Sequence, residues 1–161
     1  MLLLAAVLTA SMNVDLDLGT DMETVAVFAQ AASAMVIPAA LPVKTVAEFI
    51  DYAKKSPQPL FYGHTTKGDG GHLYSELFAK LAGITLKEVT YKSAADVNTD
   101  LIANRVQVHF ISAASVVGHV NAGTLRLLAY VAKNESKGSP PAPTFAEAGV
   151  NGMDRSRLYW T

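Results

Sequence analysis

The run Leu60-Phe61-Tyr62-Gly63-His64-Thr65-Thr66-Lys67-Gly68-Asp69-Gly70-Gly71-His72-Leu73 decides the fold. An apolar, strand-like triplet (60–62) opens it. A helical pattern follows, with Leu73, Leu77, Phe78 and Leu81 on one face. Between them lies a loop of glycines and hydroxyls, which leaves backbone N–H groups free at the positive end of the helix. Such a place suits an anion, either a small carboxylate or a phosphate. Gly63 to Gly68 has the G-x-x-x-x-G spacing of a P-loop, but Asp69-Gly70 stands where that motif needs Lys and a hydroxyl. A carboxylate there repels a triphosphate, so nucleotide binding is rejected. Asp69 or Thr66 also fits the plain role of a helix cap.

Outward from this run the elements alternate. Val25–Phe28 and Ala34–Ile37 read as strands, and the Pro38/Pro42 region interrupts the chain. Thr45-Val46-Ala47-Glu48 is a capping box opening a helix to about Lys55, ended by Ser56-Pro57-Gln58-Pro59. Strand 60–62 and helix 71–82 follow, with Gly83 as the stop, then strand 86–91, a helix from Ala95 to Asn104 and strand 106–111. Helix 113–122 stops at Gly123 before the apolar strand Leu125–Val131. Asn134–Pro143 is a polar loop, and Thr144-Phe145-Ala146-Glu147 is a second capping box. Strands alternating with single helices predict an α/β fold with a mostly parallel sheet flanked by helices. Ligands of such sheets bind beyond the carboxyl ends of the strands. Three strand-to-helix junctions belong to that edge: 63–71, 92–95 and 111–115. Each carries small or hydroxyl residues, Ser93 and Ser112 among them, so a cleft for a small anion is expected there.

Composition narrows the function classes. A chain of 161 residues, 50% of them hydrophobic, is long enough for one domain with a core of its own. Its net charge of −1 argues against nucleic acid, which requires a basic face. Without cysteine there are no disulfides and no thiolate metal sites. Met1–Ala10 is apolar but lacks a basic start, and it reads as a buried strand rather than a signal peptide. No segment has the roughly 18 apolar residues of a membrane span. The chain has no G-x-S-x-G elbow and no H-E-x-x-H, so neither an enzyme nor a metal or other cofactor is expected. His64, His72, His109 and His119 have no partner at fixed spacing and read as structural. His109 is expected half-buried in a strand, and His119 in a helix's last turn. Tyr62, Tyr91, Tyr130 and Trp160 read as core or sheet residues, and Lys54-Lys55 and Lys133–Lys137 as solvated surface.

Several ordered segments resemble the solute-binding receptors of tripartite tricarboxylate transporters, the Bug receptors. They run from Leu41-Pro42-Val43-Lys44-Thr45-Val46-Ala47-Glu48-Phe49 through the glycine loop to His72-Leu73. Val89-Thr90-Tyr91-Lys92, Thr99-Asp100-Leu101 and Val106-Gln107-Val108-His109-Phe110 continue the likeness. Gly118-His119-Val120-Asn121-Ala122-Gly123-Thr124-Leu125-Arg126 resembles P-H-I-x-x-G-K-L-R, and Pro143-Thr144-Phe145-Ala146-Glu147-Ala148-Gly149 matches P-T-F-x-E-x-G. The resemblance implies one lobe, 1–161, of a type II periplasmic-binding-protein-like clamshell. It further implies a periplasmic, non-catalytic role: binding a small organic carboxylate and delivering it to a membrane permease. The family's opening P-F-x-P-G-G region has no counterpart, so most of the first lobe is missing from the likeness. That leaves apolar surface near Met1–Thr9 and Leu158–Trp160 for self-association.

Residue by residue, the likeness puts Thr65 where the family has a ligand-facing serine, and Gly68 on a family glycine. Thr66 replaces a glycine and Asp69 a serine or threonine. Ser93 takes a glycine position, Ala94 that of a serine, and Ile111-Ser112 an Asp-Asn pair. The ligand set expected is therefore Thr65, Thr66, Gly68, Asp69, Gly70, Gly71, Ser93 and Ser112. In it Asp69 is first a cap, and otherwise a partner for the ammonium of an amphoteric ligand. The competing reading is an interaction or regulatory module on the same α/β lobe, with no small ligand of its own.

Overall fold

The computed structural model describes residues 33–132 and 138–153, all within one compact unit, Ala31–Asp154. The strands expected at Met1–Ala10 and Val25–Phe28, the lysines of 133–137 and the apolar 158–160 lie outside the described residues. The elements follow in the order β1 (Ser33–Pro38), α1 (Val46–Lys55), β2 (Leu60–His64), α2 (Gly70–Ala82) and β3 (Leu86–Thr90). Then come α3 (Ala94–Ile102), β4 (Val108–Ser112), a 3-10 turn (Ala113–Ser115), α4 (Val117–Asn121) and β5 (Leu125–Tyr130).

The five strands form one sheet in the order β3-β2-β4-β1-β5. Strand β2 pairs in parallel with β3 and β4, whereas β1 is antiparallel to both β4 and β5. Four strands therefore run one way, and the reversed β1 separates β4 from β5, making the sheet mixed. Helices cover both faces, so β1 is apolar at successive positions rather than alternating. Met35 and Ile37 join Phe49, Tyr62, Phe78, Phe110 and Phe145 in one core. Ala34 and Val36 join Val97, Leu101, Val116, Leu125 and Leu127 in the other.

Local chemistry fixes the element ends. Thr45 caps α1 by accepting the Glu48 N–H at 3.1 Å, while the Glu48 carboxylate takes the Lys44 N–H instead of the Thr45 N–H. Gly83 ends α2 in the left-handed conformation (φ 62°), which glycine adopts without strain. Thr144 and Glu147 close a reciprocal box around a turn. Arg126 on β5 ties down the β1–α1 connection by donating to the carbonyls of Ala39, Leu41 and Val43.

Several boundaries differ from the sequence reading, three of them near the site or in its supporting elements. Strand β2 continues through Gly63 and His64, which pair with Val89 and Thr90, so two residues read as loop belong to the sheet. Strand β4 begins at Val108 rather than 106, although the Gln107 N–H still bonds the Phe61 carbonyl. The single helix expected over 113–122 is instead a 3-10 turn and a short helix. They are separated at Val116 (φ −120°, ψ 0°), a fully buried β-branched residue whose packing takes precedence over helical geometry.

Candidate functional site

The carboxyl ends of the parallel strands β2, β3 and β4 share one edge of the sheet, and the loop 65–69 leaves β2 there. Asp69 organises this loop. Its Oδ1 accepts the His72 N–H at 2.8 Å, the N-cap bond of α2. Its Oδ2 accepts the Thr65 N–H, the Thr65 hydroxyl and the Thr66 N–H at 3.1, 2.8 and 2.9 Å. Burial pushes the Asp69 pKa up, but the bonds from His72, Thr66 and Thr65 outweigh it, and the net shift is downward. The loop thus already holds one carboxylate, its own. Gly71 lets α2 approach the sheet: a Cβ there would stand 3.2 Å from the Phe110 carbonyl.

The eight expected ligand residues divide by what they already do. Thr65 and Asp69 satisfy each other. The Gly68 N–H donates to His72 Nδ1 at 3.1 Å. Ser93 is the N-cap of α3, accepting the Asp96 N–H and donating to the Asp96 carboxylate. The hydroxyls of Thr66 and Ser112 and the N–H groups of Gly70 and Gly71 make no hydrogen bond among the described residues. These last four positions hold the unspent donors of the edge.

Beside the loop stands a polar cluster of residues that are separate in sequence. His64 and Tyr62 lie on the same face of β2, and His72 sits in the first turn of α2 above them. The two imidazole centroids are 5.0 Å apart. Both Nε2 atoms lie 3.5 Å from Glu88 Oε2 on β3, and Lys67 Nζ lies 3.4 Å from Glu88 Oε1. The Lys67 charge is the main reason the Glu88 carboxyl is held below its ordinary value; the two histidines add to it. His64 is 1% exposed, and its Nδ1 has no partner among the described residues. The Tyr62 hydroxyl donates to Glu76 at 2.6 Å, and burial and that contact raise its pKa. One signal was there to read: Tyr62 and His64 are two apart on a strand and therefore share a face. The register that sets Glu88 opposite Tyr62 was not readable.

His109 corrects an expectation. It is 4% exposed rather than half-buried, with Nδ1 3.3 Å from Asn98 Oδ1 on α3. Burial, helped by His64 and opposed by Asp69, lowers its pKa to about 4. His119 falls in the last turn of α4, as read. Among the described residues no three His, Asp or Glu side chains converge to hold a metal ion. No helix among them is long and apolar enough to cross a membrane. A surface hollow of about 230 Å³ is lined by Tyr52, Ser56, Leu60, Phe61, Arg105 and Gln107. It lies at the amino ends of β2 and β4, the wrong edge for a ligand of such a sheet.

Residues 7–159 match the tripartite tricarboxylate transporter family receptor. The chain belongs to this family. Its members are solute-binding receptors rather than enzymes. The chain is 32% identical over 119 residues to the UPF0065 protein in the gbd 5′ region of Cupriavidus necator, a match covering 72% of this chain and 35% of that protein. To protein BugT of Bordetella pertussis it is 29% identical over 100 residues, covering 62% and 31% of the two chains. It thus spans about a third of the length of these relatives. Among solved structures, Rpa4515 of R. palustris with adipate superposes with a TM-score of 0.72 at 35% identity, over 85% of this chain and 46% of that one. A TctC solute-binding protein from Polaromonas gives 0.68 at 25% identity, over 75% and 41%. The mixed α/β sheet is accordingly that of a periplasmic binding protein of the Bug type.

Proposed function

We propose that this receptor chain binds a small organic carboxylate at the carboxyl edge of β2, β3 and β4, for delivery to the membrane permease of a tripartite transporter. In this reading the chain acts in the periplasm and supplies one lobe of a clamshell. The carrying observation is the β2–α2 loop, built around a carboxylate and retaining unspent donors in a chain of this family. The Gly70 and Gly71 N–H groups hold the ligand, with the hydroxyls of Thr66 and Ser112 assisting. Asp69, Thr65, Gly68 and Ser93 shape the edge from behind. Such N–H bonds to a carboxylate are charge-assisted, and the helix end adds up to about 1 kcal/mol where exposed. That Rpa4515 was solved with adipate makes a dicarboxylate the first ligand to try.

With one wall of the cleft the ligand stays half solvated, and the affinity expected is on the order of millimolar, about 4 kcal/mol of net binding. Titrating the chain with adipate, malate and the uncharged diamide of adipate, followed by NMR, tests this. The acids shift the amides of 66–71 and the diamide does not. Thr66→Ala with Ser112→Ala weakens binding about fivefold or more. If no carboxylate moves the loop at high concentration, the reading fails. One observation favours the second reading, an interaction module without its own ligand: Asp69 already fills much of the loop's donor capacity. Self-association belongs to either reading, and light scattering across a concentration series checks it.

A further inference from the structure

We propose that His72 positions the ligand loop by accepting the Gly68 N–H on its Nδ1, and that a second proton on this imidazole releases the loop. The inference rests on the carboxylate reading for its functional meaning, but its geometry is independent of any ligand. An imidazole that accepts on Nδ1 is neutral and carries its proton on Nε2. Here Nε2 faces Glu88 Oε2 at 3.5 Å, the side on which a carboxylate favours an N–H. Gly68 has φ 89°, a conformation other residues rarely adopt, so its N–H is aimed by the backbone. When Nδ1 is protonated, two donors confront each other over the 3.1 Å that the hydrogen bond now spans. Either the peptide or the ring must turn away. Gly68 immediately precedes Asp69, so the turn is felt by the carboxylate that holds Thr65 and Thr66.

Titratable and charged groups face this imidazole from several elements. Facing His72 are Glu88 from β3, His64 and Tyr62 from β2, and Lys67 and Asp69 from the loop. Glu76 stands one turn on along α2, and His109 on β4 feels both Asp69 and His64. His64 and His72 share one carboxylate oxygen, so a change at one ring is felt at the other. Gly68 is for that reason a cleaner reporter than either ring.

The test is an NMR pH series on the full 161-residue chain, from about pH 8 to about pH 5, where histidines change charge. In the unaltered chain the Gly68 amide moves together with the His72 ring signals. In His72→Asn, whose Oδ1 replaces Nδ1 as an acceptor that does not titrate, the Gly68 amide stays in place across the range. In His72→Phe it stands displaced at every pH. Adipate affinity then falls about fivefold to tenfold more on acidification in the unaltered chain than in His72→Asn, which keeps every other titrating group. A Gly68 amide that behaves alike in the unaltered chain and His72→Asn overturns the inference. If Gly68 follows His72 but adipate binds at no pH, the positioning role stands and the carboxylate reading falls. If adipate binds while Gly68 ignores His72, the carboxylate reading stands and the positioning role falls.

Discussion

Asp69 does two jobs with one carboxylate, capping α2 through Oδ1 and gathering three donors of the loop on Oδ2. Removing it orphans the N–H groups of Thr65, Thr66 and His72 together. Asp69→Ala is therefore expected to cost about 2–3 kcal/mol, more than the roughly 1 kcal/mol of an ordinary cap. Urea denaturation measures this, and a loss under about 0.5 kcal/mol, the scatter of neutral surface changes, would show the loop to be held by something else. The capping role was legible, because an Asp before a helical run has few other duties. Its grip on Thr65 and Thr66 was not, since it depends on how the loop folds back over four residues. The bond from Gly68 to His72 was hidden for the same reason. A histidine in a first helical turn advertises a charge, not an acceptor.

At the scale of elements, β2 is closely constrained by its neighbours. Gly63 sits between Val89 and His109 in the ladder, and α3 crosses directly behind it. A Cβ at Gly63 would overlap Val97 Cγ1, a fully buried atom. Gly63→Ala should cost about 1–3 kcal/mol through overpacking. Val97→Ala in the same chain removes the obstructing methyl, so the double variant should lose less than the sum of the two single changes. Additive losses would mean that the strand yields without strain. Elements and their caps were readable from Thr45, Gly83 and Gly123, each of which marks a helix end by its own chemistry, whereas Ser93, read as a ligand residue, proves to be a cap. The run Gly63-His64 was misread because glycine and histidine carry little strand signal, whereas here a close helix demands the glycine. The reversal of β1 left no trace either: a strand buried on both faces has an apolar pattern without direction.

For the molecule as a whole, the response to acid follows from groups that shift the same way. Folded His109 has a pKa of about 4, against 6.5 for a free histidine, chiefly because burial disfavours its charged form. Between those values the unfolded chain binds more protons than the folded one. Stability therefore rises with pH across that window and is lost as pH falls through it. By about pH 5 the loss reaches about 2 kcal/mol, and by about pH 4 about 3 kcal/mol. The carboxyls of Asp69, Glu88 and Asp100 are also held below their ordinary values, Asp100 first by the Tyr91 hydroxyl and then by Arg105. Their contribution is present above the unfolded pKa, near about 4, and disappears only below it. Decline therefore begins with the histidine and steepens with the carboxylates. Urea denaturation at about pH 7 and about pH 5 separates the two stages, because His109→Gln removes the first and leaves the second. A chain equally stable at both values, or a variant with the same slope as the unaltered protein, would mean that His109 is not kept neutral by its place between β4 and α3.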